Sequence, residues 1–220
     1  MRPAFYALRP GGWRDYVTLL HPPYTLWHLS YVALGAGLAP ELDGARLGWT
    51  FAAFALALGV GAHALDELRG RPLRTTIPSA TLVALAVTSI AGAAAIGIAV
   101  AVAFSLWLLV FVAAGSFLVV AYNLELAGFH SDLWFGLAWG GFPVLTAYFA
   151  MAGRVRGEAV AAALFATLFS LAQRALSTPV RDARRRGGDP TVLAPAERAL
   201  RLLTLAAAAL GGASLLSHLR

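Results

Sequence analysis

The run SATLVALAVTSIAGAAAIGIAVAVAFSLWLLVFVAAGSFLVVAY, residues 79–122, holds no ionisable side chain before its terminal tyrosine and no proline. A helix needs roughly 20 apolar residues to cross the hydrocarbon core of a bilayer, so this stretch is too long for one crossing and must be two. It turns back near Ile98 to Phe104, where no strong turn signal stands. On either side the same window length recurs. Seven candidate spans result, at about 23–40, 47–68, 79–98, 102–122, 133–152, 158–178 and 198–217.

A chain of 220 residues that is 59% hydrophobic and 13% charged, with mean hydropathy +0.71, carries more apolar surface than a soluble domain of that length hides in one core. The expected fold is an all-α polytopic transmembrane bundle of about seven spans. It forms a single domain over 1–220: residues 1–22 make an interfacial N-terminal segment and 23–217 the bundle. The segment MRPAFYALRPGGWRDYVTLL mixes arginines and aromatics without a clean apolar run or a small-residue cleavage site. It reads as an interfacial helix rather than a signal peptide.

Arginine placement sets the expected orientation, because Lys and Arg accumulate in short cytoplasmic loops. Arg2, Arg9 and Arg14 precede the first span, Arg69, Arg71 and Arg74 follow the second, and Arg174, Arg181, Arg184, Arg185, Arg186 and Arg198 surround the connection between the sixth and seventh. The other loops hold Arg46, Arg154 and Arg156, with Arg220 at the far end. The N-terminus is therefore expected in the cytoplasm, and the net charge of +6 is largely a topology signal. With no basic domain for nucleic acid to rest on, membrane lipids with anionic headgroups are the expected partner of this charge. Cysteine is absent, which excludes disulfides, thiolate metal sites and thiol nucleophiles. Lysine is absent too, and a seven-helix retinal protein needs a lysine for its Schiff base.

An ionisable group at mid-bilayer costs roughly 2.5–3.5 kcal/mol on insertion scales, so those at span ends are candidates for function. Three clusters follow even-numbered spans and share one face. The first is GAHALDELRGRPLRT, residues 61–75. His63, Asp66 and Glu67 stand at i, i+3 and i+4, a spacing that can converge on one cation or polar ligand; Arg69, Arg71 and Arg74 follow. The bland alternative is a hydrated helix end where acids and arginines pair. The second is AQRALSTPVRDARRRGGDPT, residues 172–191. There Gln173 and Ser177 bring polarity below the surface, and Thr178, before Pro179, is expected to leave helical geometry. Arg181 and Asp182 lie just beyond, and the arginine run suits an anion such as a diphosphate. The third is Tyr122, Asn123 and Glu125, leading through Gly128, His130 and Asp132. Trp27, His28 and Tyr31 of the first span either face the bundle or anchor it at the interface.

This arrangement resembles the UbiA superfamily of intramembrane prenyltransferases. Those proteins carry an acidic motif, typically NDxxDxxxD, after span two, a second Asp-rich motif after span six, and a tyrosine-containing connection between spans four and five. GAHALDELRGRPL, AYNLELAGFHSDLWFGLAWGGFPVLTAYF and VRDARRRGGDPT occupy those places in order. Asp66 matches the second aspartate of the first motif, with His63 in place of the first, Ala62 in place of the asparagine and Gly70 in place of the last. Asp182 matches the aspartate of the Arg-Asp pair, and Arg186 replaces the next one.

The resemblance implies an enzyme that ionises an isoprenoid diphosphate with magnesium held by the acidic motifs, then passes the prenyl group to a lipophilic acceptor. It implies Asp66, Glu67 and Asp182 as catalytic residues and His63, Asp66, Glu67 and Asp182 as metal ligands. Arg69, Arg71, Tyr122, Asn123, Gln173, Ser177 and Arg181 become the substrate-binding set. The expected setting is a prokaryotic plasma membrane, with the site facing the cytoplasm. Two variants of the metal site stay open: arginines replace part of the magnesium charge, or an imidazole-friendly divalent metal replaces magnesium. Terpene cyclisation and non-catalytic lipid binding stay open as alternative functions, and a transporter is disfavoured because no inverted repeat is visible.

Overall fold

The computed structural model describes residues 3–219, so Arg2 and Arg220 of the orientation pattern lie outside the described residues. Every regular element among them is helical. A short helix, α1 (Trp13–Leu19), is followed by seven longer ones. These are α2 (Pro22–Gly37), α3 (Gly44–Leu68), α4 (Ser79–Ala103), α5 (Leu108–Asn123), α6 (Asp132–Ala152), α7 (Gly157–Arg185) and α8 (Pro190–Leu216), which ends in a 3-10 turn. Helices α3, α4, α6, α7 and α8 are each long and apolar enough to cross a membrane, and α5 is a shorter apolar helix. With their apolar side chains turned outward, they define a helical membrane bundle.

The outward faces show why. Helix α4 buries only Leu82, Ala86, Ser89 and Ala101, while Val83, Val87, Ile98 and Val102 stand exposed. Water would not tolerate that face and lipid does. The centre of the bundle is α2, whose Trp27, Tyr31, Val32 and Ala36 are almost wholly buried. It lies between α6 and α8, and small residues let the backbones approach. A side chain at Gly35 would run into the carbonyl of Val144, and one at Gly211 would meet the Ser30 carbonyl oxygen at 2.5 Å.

Three expectations change. The turn between α4 and α5 falls at residues 104–107, at the far edge of the expected interval. The helix persists through Ala103 because the Ala- and Gly-rich sequence before it contains nothing that breaks a helix. Helix α7 does not stop before Pro179 but runs on to Arg185. A proline removes one backbone donor and can be carried where packing compensates. Here Val180 is buried beyond it, and an Arg184–Glu197 ion pair ties the last turn to α8.

The N-terminal segment, third, is more than an interfacial helix. Ala7 and Leu19 are buried, the Leu8 amide donates to Thr18 Oγ1 at 3.0 Å, and Asp15 accepts from the amide and hydroxyl of Thr76 at 2.8 and 2.6 Å. The segment therefore folds over the arginine-rich end of the bundle.

Two helices widen locally into π-helix, α3 at Ala55–Ala62 and α6 at Leu137–Gly141. Each widened turn carries glycines, Gly59 and Gly61 in one and Gly140 and Gly141 in the other. Such insertions displace the side chains that follow and recur at functional sites.

Candidate functional site

All three polar clusters open on one cavity of about 610 Å³ at the arginine-rich end. Its wall includes His63 and Asp66 from α3, Arg69 to Arg74 from the loop that follows, Tyr122 and Asn123 from α5, Glu125 from the turn after it, and Gln173, Arg174, Ser177, Arg181 and Arg185 from α7. The N-terminal segment closes the remaining side with Pro3, Ala4 and Tyr6. Six arginines face two carboxylates, Asp66 and Glu125, so the space has a strong positive bias.

Three of these arginines have carboxylate partners. Arg69 meets Glu125 at 3.0 Å, Arg174 pairs with Asp132, and Arg185 lies 3.9 Å from Asp182. Arg174 also donates to the Tyr122 hydroxyl at 2.6 Å. Arg71, Arg74 and Arg181 form no ion pair with a carboxylate among the described residues. Arg71 donates instead to the Ile77 carbonyl and, at 2.9 Å, to Ser79 Oγ. Arg181 donates to Thr178 Oγ1 at 3.3 Å and acts on Asp66 through its field.

The loop that carries Arg71 and Arg74 is held in an unusual shape. Both residues have positive φ, 53° and 56°, and Gly70 has φ 90°. Left-handed backbone at a residue with a side chain costs roughly 1–3 kcal/mol and persists only where surrounding contacts enforce it. Glu67 enforces it here. Its carboxylate accepts from the Leu73 amide at 2.9 Å and from the Thr75 amide and hydroxyl, both at 2.8 Å.

Glu67 consequently separates from the expected trio. His63 and Asp66 line the cavity, whereas Glu67 is 1% exposed and engaged with the loop. Successive helical residues point about 100° apart, so the face that presents Asp66 turns its neighbour away. Asp182 separates as well: its side chain stands on the outer surface of α7 and does not border the cavity. Asp189, another acid of the second motif, caps α8 by accepting from the Thr191 amide at 2.8 Å.

The donor set of the expected metal site is therefore dispersed. Among the described residues no three of His, Asp and Glu come close enough to share an ion. A two-magnesium site needs several converging carboxylates, and the residues present do not fit one.

Several wall residues fall outside the expected site. His21 precedes α2 with φ 44°. Its ring stacks on His63 at 4.1 Å between centroids, and its Nδ1 is 2.8 Å from the Tyr6 hydroxyl. Burial pushes the His21 imidazole well below its ordinary range, and the neighbouring His63 and Arg181 add to this. Burial likewise raises the Tyr6 phenol, Tyr24 adds to that, and Arg181 opposes it. His28 fixes the inner wall through Nδ1, 2.8 Å from the Trp139 carbonyl oxygen. The aromatic density of residues 4–6 and of HPPYTLWH, 21–28, was the available signal for these groups.

On the far side of the wall lies an apolar cleft between α3, α4, α5 and α6, lined by Trp49, Phe54, Ile90, Phe111 and Phe142 among others. Leu58 and Trp139 border both spaces, one from each π-helical turn. The charged chamber and the oily one thus share these two side chains in their walls. Comparison with protein-family models, curated proteins and solved structures found no match.

Proposed function

We propose that this chain is a UbiA-like integral membrane enzyme that acts on an isoprenoid diphosphate and transfers the prenyl group to a lipophilic acceptor. All seven longer helices would span the bilayer, with the arginine-lined cavity open to the cytoplasm. The observation that carries the reading is the adjacency of two unlike spaces: a cavity with six arginines against two carboxylates, and an apolar cleft that shares Leu58 and Trp139 with its wall. A prenyl diphosphate has the same division, with a polyanionic head and a hydrocarbon tail.

The chemistry follows from that placement. As the allylic C–O bond breaks, the electron pair leaves with the diphosphate, whose growing charge the guanidinium groups stabilise. The allylic carbon becomes cationic beside aromatic faces such as Tyr122, Phe135 and Trp139, which favour positive charge and exclude water. Asp66, facing the cavity without a hydrogen bond of its own among the described residues, is placed to stabilise that cation or accept a proton. The same aromatic wall suits capture of the cation by its own chain, so cyclisation is the second reading. Product analysis separates them.

The test is turnover of isotope-labelled prenyl diphosphates by the purified chain in lipid nanodiscs containing a membrane-lipid extract. Labelled prenylated or cyclised product is expected, reduced at least tenfold by Arg181→Ala and by Asp66→Ala. If no labelled product forms and no prenyl diphosphate binds, the reading fails.

A further inference from the structure

We propose that the cavity grips its diphosphate head without a metal ion, through an arginine cradle of Arg71, Arg74 and Arg181 whose loop is positioned by Glu67. This inference rests on the prenyl diphosphate reading and says how its head is held. Two independent observations converge on it.

The first is the balance of charge. Two lining carboxylates are available, and Glu125 is already paired with Arg69. Glu67 serves three donors of the following loop, and Asp182 stands outside the cavity. What would otherwise be metal-binding acid is thus spent on the fold, while Arg71, Arg74 and Arg181 form no direct ion pair with a carboxylate among the described residues, and Asp66 meets Arg181 only through its field. A guanidinium offers the same service to phosphoryl oxygens as a divalent ion, namely positive charge, and adds directional N–H donors that can bind two oxygens at once.

The second observation is backbone shape. Arg71 and Arg74 occupy left-handed conformations that favour glycine, and the loop returns over the cavity because Leu73 and Thr75 are tied back to Glu67. Arg71 is fixed further by the Ile77 carbonyl and Ser79. A loop of this composition kept under strain is a preorganised binder, since little ordering remains to be done when the anion arrives. Glu67 is therefore a positioning residue: it touches no ligand and sets where Arg74 stands.

The experiment uses the full chain in phosphatidylcholine nanodiscs and measures Kd for farnesyl diphosphate, inorganic diphosphate and farnesol, each with added magnesium and with excess chelator. Farnesyl diphosphate is expected to bind with a Kd that changes by less than about threefold between the two conditions. Arg74→Gln and Arg181→Gln should each weaken it about tenfold or more, with farnesol unaffected. Glu67→Gln, which leaves one acceptor oxygen for three donors, should also weaken farnesyl diphosphate about tenfold and spare farnesol. Thr75→Val provides a milder variant of the same tie, with a smaller loss of the same kind.

Binding that requires magnesium overturns the cradle and leaves the prenyl diphosphate reading standing. Failure of farnesyl diphosphate to bind under either condition overturns both. An equal loss of farnesol and farnesyl diphosphate affinity in Glu67→Gln overturns its positioning role, as does no loss at all. Replacing phosphatidylcholine with phosphatidylglycerol should shift the Kd by less than about threefold. Strong competition would assign the arginines to lipid headgroups and overturn the proposal.

Discussion

The two ends of the bundle treat charge in opposite ways. At the end away from the cavity, Asp43 caps α3 by accepting from the Arg46 amide at 2.8 Å, and its carboxylate meets the Arg46 side chain at 3.3 Å. Arg46 then donates to the last carbonyls of α6, Ala150 and Met151, at 3.0 and 3.1 Å, and lies 3.9 Å above the Phe104 ring. Tyr148 donates to Glu158. These polar groups tie one helix end to another. At the arginine-rich end, by contrast, Arg71, Arg74 and Arg181 form no ion pair with a carboxylate among the described residues, and Asp66 lines the cavity within the field of Arg181. Asp43, Arg46, Tyr148 and Glu158 act as joints between helix ends; the lining arginines without an ion pair are where the proposed anion would bind.

That contrast breaks most visibly at Arg46. Arg46→Ala leaves two terminal carbonyls of α6 without their donor and removes the contact with Phe104. A loss of about 2–3 kcal/mol is expected, since a hydrogen bond from a charged group contributes about 1.5–3 kcal/mol. The measurement is unfolding in detergent, paired with farnesyl diphosphate affinity. Stability should fall while affinity at the surviving folded protein stays within about twofold. Arg181→Gln should do the reverse. If Arg46→Ala weakened binding as much as it weakened the fold, the division between the two ends would be false.

The division was partly legible in the sequence. Apolar windows overlap all seven longer helices, five of which have the length and composition to cross a bilayer, and 79–122 had to contain a reversal. The convergence of the three clusters followed from alternation of the spans. What resisted reading was direction at the scale of one residue. Asp66 and Glu67 are neighbours of the same charge, yet one faces the cavity and the other a returning loop, a choice made by Leu73 and Thr75. Pro179 carries a strong stop signal that burial of Val180 and the Arg184–Glu197 pair override. The π-helical turns have no periodicity to betray them. Tyr6 and His21 meet only through tertiary folding, so the aromatic density around each could flag them but could not place them on the cavity wall.

The smallest expected effect lies where the N-terminal segment is fastened across the cavity, and it tests whether that cover belongs with the joints or with the open charges. Asp15 is buried, which by itself would raise its carboxyl, but hydrogen bonds from Thr76 and from the Gly11 amide outweigh burial and hold it below its ordinary value. A carboxyl whose folded value is depressed binds fewer protons when folded than when unfolded, so its stabilisation is complete above the ordinary carboxylate range. It is lost as pH falls through that range and below it. The tie to Thr76 should therefore hold at neutral pH and loosen in acid, contributing about 1 kcal/mol. Hydrogen exchange at the Thr76 and Leu8 amides is the measurement. In the wild type their protection should fall with acid after correction for intrinsic exchange. Asp15→Asn should have weaker protection at neutral pH and little further change on acidification. Equal protection in both proteins at every pH would show that the segment is held by its apolar contacts, with Ala7 and Leu19 rather than Asp15 keeping Tyr6 over the cavity.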